Sequence, residues 1–200
     1  MKKQLRKHAK PHHSSGDWDF ANTNWELNSS VYVSSPSSLR FLATNNTKVK
    51  TTTVPIANVK EGRIITYIRA PIEDNRTEIV FRWQDNNNYY CVALHFSGVA
   101  QTQYIYRRQG GENTILNSAS KQLALNAWHK FRVTWWNDYV GLVIRVEIWQ
   151  DGAWITLIAD GYDALNLWND VGGRLGIGDF GITTASGGIY VDDTYIYGIG

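Results

Sequence analysis

The chain has one cysteine, one methionine and four prolines in 200 residues. A single cysteine closes no internal disulfide, so a bridge-stapled scaffold is excluded and the fold must rest on its hydrophobic core. Cys91 lies inside the apolar run YYCVALHF, where a small buried hydrophobe is the expected role. No run of 18 apolar residues occurs, which argues against a membrane-spanning helix. Helical periodicity is nearly missing too. Only GYDALNLWNDV spaces Ala164, Leu165, Leu167 and Trp168 for a turn or two of helix, and a loop fits it equally well.

Acidic residues are absent from the first thirteen positions, where Lys2, Lys3, Arg6, Lys7 and Lys10 make a charge of +5. The remainder carries 15 basic and 18 acidic side chains, so the total of +2 hides a mildly acidic domain with a basic arm. The arm, MKKQLRKHAKPHH, has no apolar h-region and no small-residue cleavage site, so it does not read as a secretory signal. Five like charges favour an extended chain that cannot bury enough surface to order itself. The expected partner is therefore another protein subunit, in a homo-oligomer or larger assembly. Nucleic acid is the weaker expectation, because the rest of the chain is acidic. His12 and His13, next to the linker SSG, read as a solvated tail. Residues 1–16 are thus set apart as arm and linker, and residues 17–200 as one domain, a length that suits a single all-β unit.

Nine tryptophans and eleven tyrosines are plentiful for a chain of this size. Large amphipathic rings either pack a core or form a recognition surface. Strand-like runs recur every eight to fourteen residues with turn residues between them, the pattern of an antiparallel sandwich or barrel. EIVFRWQ and YYCVALHFS flank DNNN, and GLVIRVEIWQ and AWITLIAD flank Asp151-Gly152. Both junctions predict tight hairpin turns. Around the first hairpin stand Arg82, Trp83, Asn87, Asn88 and Tyr89, with Tyr106 and Arg107 on the following strand. Their chemistry suits a sugar: rings to stack on a pyranose face, amides and guanidinium groups to bond its hydroxyls. An equally physical reading packs Trp83 and one tyrosine into the sandwich and spreads the others over a wet face. Tyr89 and Tyr90 must point opposite ways in a strand, as must Trp135 and Trp136.

An ordered series of segments resembles the concanavalin A-like, or laminin G-like, jelly-roll superfamily. VFRWQDNNNYYCVAL is similar to its strand, polar hairpin and paired-tyrosine strand, and YIYRRQGGENTIL to the next hairpin. LNAWHKFRVTW is similar to its Trp-His strand start, and IRVEIWQDGAW to its final hairpin. GGRLGIGDFG with IYVDDTYIYGI is similar to the closing strand and its aspartate pair. The resemblance spans roughly residues 60–200 and implies a two-sheet antiparallel jelly roll. It also implies a structural calcium between the chain start and the closing strand, with Asp17, Asp19 and one of Asp192 or Asp193 as oxygen donors. The competing reading makes these aspartates turn and edge residues. The superfamily includes lectins, adhesion modules, glucanases, lyases and virus surface proteins, so the fold does not choose a function.

Catalytic patterns are sparse. The Glu-x-Asp-x-Glu triplet of glucanases with this fold is missing. Glu147 is alone on its strand, Asp151 belongs to a turn, and period two puts Asp192 and Asp193 on opposite faces. RTEI, Arg76 to Ile79, looks like part of the Arg-Thr-Glu-Leu-Arg strand of alginate lyases. Val80 stands where the last arginine belongs, and the Gln-Ile-His strand is absent. His95 and Tyr106 are the base and acid such chemistry would use. The expected function is a non-catalytic structural or surface-displayed subunit, on a virion or an extracellular assembly, built on a lectin-like jelly roll, a role compatible with glycan binding. A carbohydrate-binding module acting alone is the second reading, and a divergent lyase or hydrolase the third.

Overall fold

The computed structural model describes residues 6–8, 25–34, 38–41, 59–73, 75–169, 171, 173–179 and 188–199. The described chain is all β. Its strands are β1 (Arg6–His8), β2 (Trp25–Asn28), β3 (Ser38–Phe41), β4 (Glu61–Arg69), β5 (Asn75–Asp85), β6 (Asn88–Phe96) and β7 (Gln101–Gln109). They continue with β8 (Glu112–Lys121), β9 (His129–Asp138), β10 (Gly141–Gln150), β11 (Ala153–Asp163), β12 (Arg174–Asp179) and β13 (Ile189–Ile199). An eight-stranded sheet has the order β11-β10-β9-β4-β13-β3-β2, with β1 also paired to β13; a five-stranded sheet runs β12-β5-β6-β7-β8. Every pairing is antiparallel.

Turn chemistry sets the register of the hairpins. Asp85 pairs with Asn88 across a two-residue loop, and Gln150 pairs with Ala153 across Asp151-Gly152. Asp151 and Gly152 both take positive φ, 50° and 82°, as a type I′ turn requires. Gly110 and Gly111 do the same at 59° and 90° between β7 and β8. Both expected tight turns are therefore formed.

Alternation then decides what is buried. In β4, Ile64, Thr66 and Ile68 are buried while the residues between them are half exposed. Phe131, Val133 and Trp135 of β9 and Leu142, Ile144 and Val146 of β10 face Ile79 and Phe81 of β5 and Tyr90, Val92, Leu94 and Phe96 of β6. Phe81 stacks on Trp135 with centroids 4.7 Å apart. Each such buried side chain contributes about 1.5–3 kcal/mol relative to exposure, enough to stabilise the domain without a disulfide. Cys91 is fully buried, as expected.

Of the two readings of GYDALNLWNDV, the loop is the one formed: residues 161–163 finish β11, and the following turn puts Asn166 and Trp168 at positive φ, which interrupts any helical run. Part of the arm also joins its own domain. Arg6, Lys7 and His8 pair with Gly198, Tyr197 and Ile196 of β13, because the edge of β13 beyond β3 still offers backbone groups. These three residues thus pair with their own domain, where the expectation kept the arm clear of it. Lys2, Lys3 and Lys10 lie outside the described residues.

Candidate functional site

Side chains on the outer face of the five-stranded sheet form a cluster separate from the sandwich core. It consists of Val80, Tyr89, Cys91 and Tyr106, with Trp83, Ala93 and Tyr104 packed against them. Period two in three neighbouring strands produces it. Arg76, Glu78 and Val80 of β5 lie opposite His95, Ala93 and Cys91 of β6, and Cys91 and Ala93 lie opposite Tyr106 and Tyr104 of β7. The middle strand thus offers two small side chains between rows of larger ones. A hollow of about 310 Å³ results, lined by Ala93, Arg76, His95, Tyr104, Tyr106 and Asn113 among others. Among the described residues, none of those lining it is a carboxylate.

The walls are held in place from behind. Gln103 is fully buried, and its side chain bonds both the amide and the carbonyl of His95, at 2.6 and 3.0 Å, and the Lys121 carbonyl at 3.0 Å. It replaces ladder bonds at that end of β6 and β7 and fixes where His95 stands. Tyr89 donates to Glu78 at 3.4 Å and packs against Tyr106 with ring centroids 6.3 Å apart. Burial first, and the Glu78 carboxylate second, push the Tyr89 phenol far above its ordinary range. The same two causes raise the Cys91 thiol, so Cys91 is held as a neutral thiol.

The seven residues proposed from sequence do not form one site. Trp83, Tyr89 and Tyr106 share the outer face, but only Tyr106 lines the hollow. Asn87 and Asn88 hold hairpin tips together: the Asn87 carbonyl accepts from Gly111 N and the Asn88 side chain accepts from Gly110 N. Arg82 points into the molecule. Its φ of 47° breaks the alternation of β5, and its buried guanidinium donates to the Lys60 carbonyl, Asn137, Asn166 and the Leu167 carbonyl. Arg107 also faces inward and pairs with Asp163 at 2.6 Å. Both arginines close one end of the sandwich by tying the loop after β11 to the sheets. Alternation removes Arg107 from the face of Tyr106, whereas Arg82 leaves the sugar site because its positive φ interrupts the alternation and turns it inward.

The aspartates of the closing strand depart from expectation as well. A register shift between Asp192 and Tyr195, with Asp193 at φ 43°, brings both carboxylates to one loop instead of opposite faces. Asp192 accepts from the amides of Val33, Ser34 and Asp193, and Asp193 accepts from the Ser34 hydroxyl. Calcium needs six to eight oxygens. The described residues bring two carboxylates here, and no group of three or more His, Cys, Asp or Glu comes together among them. Asp17 and Asp19 lie outside the described residues. Glu147, expected to be alone on its strand, forms an ion pair with Arg132 of β9.

No protein-family model and no curated protein matches the chain. Solved structures do. Xylan β-1,4-xylosidase from Bacillus halodurans C-125 superposes with a TM-score of 0.65 at 13% identity, over 96% of this chain and 40% of that one. Peanut lectin superposes with a TM-score of 0.56 at 8% identity, over 94% and 95%. The cellulose induced protein Cip1 gives 0.55 at 14%, over 92% of each chain. The fold they share is a jelly-roll β-sandwich. The jelly roll spans about two-fifths of the length of the xylosidase and GH43 chains it matches. At such identities the likeness establishes the fold of this jelly roll and leaves its activity to the site.

Proposed function

We propose that the chain is a carbohydrate-binding module whose site is the hollow on the outer face of the five-stranded sheet. The observation that carries this is the small Ala93 of β6, opposite Tyr104 of β7, at the floor of a hollow that Tyr106, His95 and Arg76 also line. A saccharide has apolar C–H faces and a polar hydroxyl rim. A concave surface with tyrosine walls and a few convergent hydrogen-bonding groups matches both. Xylan and cellulose appear in the names of two structural neighbours, so xylo- and cello-oligosaccharides are the first probes. Titration calorimetry should give a binding isotherm that Tyr104→Ala and Tyr106→Ala each weaken about tenfold, near 1.4 kcal/mol. No binding across a wide glycan panel, or binding indifferent to both changes, would refute the reading.

Display of this module on a larger assembly, through residues 1–13, is the finer form of the same reading and rests on their charge. Light scattering of the full chain tests it: a strict monomer at all concentrations removes it. A lyase is the second reading, because His95 and Tyr106, a base and an acid, line the same hollow beside Arg76. New absorbance from an unsaturated uronate, lost in His95→Ala and Tyr106→Phe, would establish that reading.

A further inference from the structure

The hollow lies where two paired strands part. β6 and β7 are registered from Tyr89 with Arg108 to Ala93 with Tyr104, and the pairing stops there, although β6 runs on to Phe96 and β7 begins at Gln101. A continued ladder would set Leu94 against Gln103 and His95 against Thr102. Each strand keeps its other neighbour over this stretch. β6 stays paired with β5 as far as Phe96, and β7 with β8 from Gln101 onward. The parting is therefore local to the seam between β6 and β7. Ala93, Leu94 and His95 on one side of that seam and Gln101, Thr102 and Tyr104 on the other all line the hollow.

One side chain occupies the seam. Gln103 is fully buried and is not among the residues that line the hollow. Its Oε1 accepts from the His95 amide at 2.6 Å. Its Nε2 lies 3.0 Å from the His95 carbonyl, 3.1 Å from the Gln101 carbonyl and 3.0 Å from the Lys121 carbonyl. A carboxamide offers the same donor and acceptor types as a peptide group. The amide and carbonyl of one strand residue point to the same neighbour, so in a regular ladder both groups of His95 would bond the backbone of Thr102. Here the Gln103 side chain takes both bonds, and it also binds the two carbonyls of β7 and β8 at that place. A buried amide group is retained in a core only where its bonds are made, as these are.

We propose that Gln103 is the positioning residue of the saccharide site: its carboxamide takes the place of a peptide group between β6 and β7, holds the strands apart beyond Ala93 and so opens the hollow. This role rests on the reading of the hollow as a saccharide site. Gln103 touches no ligand and acts through the residues it spaces, His95 on β6 and Thr102 and Tyr104 on β7. Without the carboxamide, the buried amide and carbonyl of His95 lose their partners, which is costly. The backbone of Thr102 is the replacement that the register supplies. The strands then close to the regular spacing of about 4.7–4.9 Å, and the space between them is lost to a sugar ring.

The test uses the full chain, xylo- and cello-oligosaccharides as probes, and temperatures well below the melting point of each variant. Gln103→Met keeps the length of the side chain and removes its hydrogen bonds. Affinity should fall about tenfold or more. A cross-strand NOE between the amides of His95 and Thr102, absent from the parent, should appear as the ladder closes. Gln103→Glu keeps the shape. Ionised, it sets a negative charge against three carbonyls; protonated, it again accepts from His95 and donates one bond. Burial raises the pKa of such a carboxyl. The affinity of Gln103→Glu, taken as a ratio to the parent at the same pH, should therefore recover between pH 9 and pH 5. No saccharide binding by the parent overturns the site and this role together. Parent binding that Tyr106→Ala weakens and folded Gln103→Met leaves unchanged overturns this role alone. Should Gln103→Met not fold, the Gln103→Glu ratio decides, and a ratio that does not change with pH overturns the role.

Discussion

Tyr90 and Asp163, 73 residues apart, share a buried hydrogen bond of 2.5 Å, with the tyrosine hydroxyl donating to Oδ2. The other carboxylate oxygen holds Arg107 at 2.6 Å, and the Tyr90 oxygen accepts from the Leu167 amide at 2.9 Å. One carboxylate thus joins β6, β7 and the loop after β11 at the end of the sandwich. Asp163→Ala leaves the Arg107 charge buried without its counterion, which costs about 3–5 kcal/mol. Urea denaturation should show that loss. The double change Arg107→Met/Asp163→Leu should recover much of it, because no uncompensated charge remains.

The hollow depends on the small size of Ala93. Ala93→Phe fills it from the floor, on the outer face and away from the core between the sheets. Saccharide binding should fall below detection while the melting temperature stays within a few degrees of the parent. A variant that binds normally would place the site elsewhere.

His129 is the group with a resolved shift that titrates near neutrality. Burial lowers its pKa, against the smaller opposing effect of its bond to the Ala124 carbonyl. The unfolded chain therefore binds this proton more readily than the folded one. Stability is full above the ordinary histidine value of about 6.5 and falls as pH drops below it, levelling off beneath the folded-state pKa. Urea midpoints measured from pH 8 to 5 should decline in that window, and less so in His129→Gln.

Removing residues 1–13 deletes the three residue pairs between β1 and β13 and leaves the core formed by the described residues in place. The shortened chain should remain folded and soluble, with a small decrease in melting temperature. An insoluble product would mean that β1 is needed to cover the edge of β13.

Much of the fold is legible in the residues themselves. DNNN and Asp-Gly set tight turns, and RIITYIR and RVEIW alternate, so hairpins and buried faces follow from chemistry two to four residues in range. The conflict inside the sugar-site reading is legible too. Adjacent strand residues such as Tyr106 and Arg107 cannot share a face. From Tyr106, the same period leads to Tyr104, and from Cys91 to Ala93 and His95. These are the walls and floor that a search for polar clusters around the hairpin passes over.

The sequence by itself determined an all-β chain with no disulfide, the places of two of its tight turns and the basic arm, because each of these depends on local backbone preference, side-chain period or charge count. Tertiary structure alone decided that Arg82 turns inward and that Asp192 and Asp193 converge. Both follow from residues at positive φ and shifts in strand register, which reverse a side chain's face with no local signal. It also decided that Arg76, His95 and Tyr106 meet. Those neighbours are set by which strands pair, and pairing is chosen by burial of the whole core rather than by any segment of it.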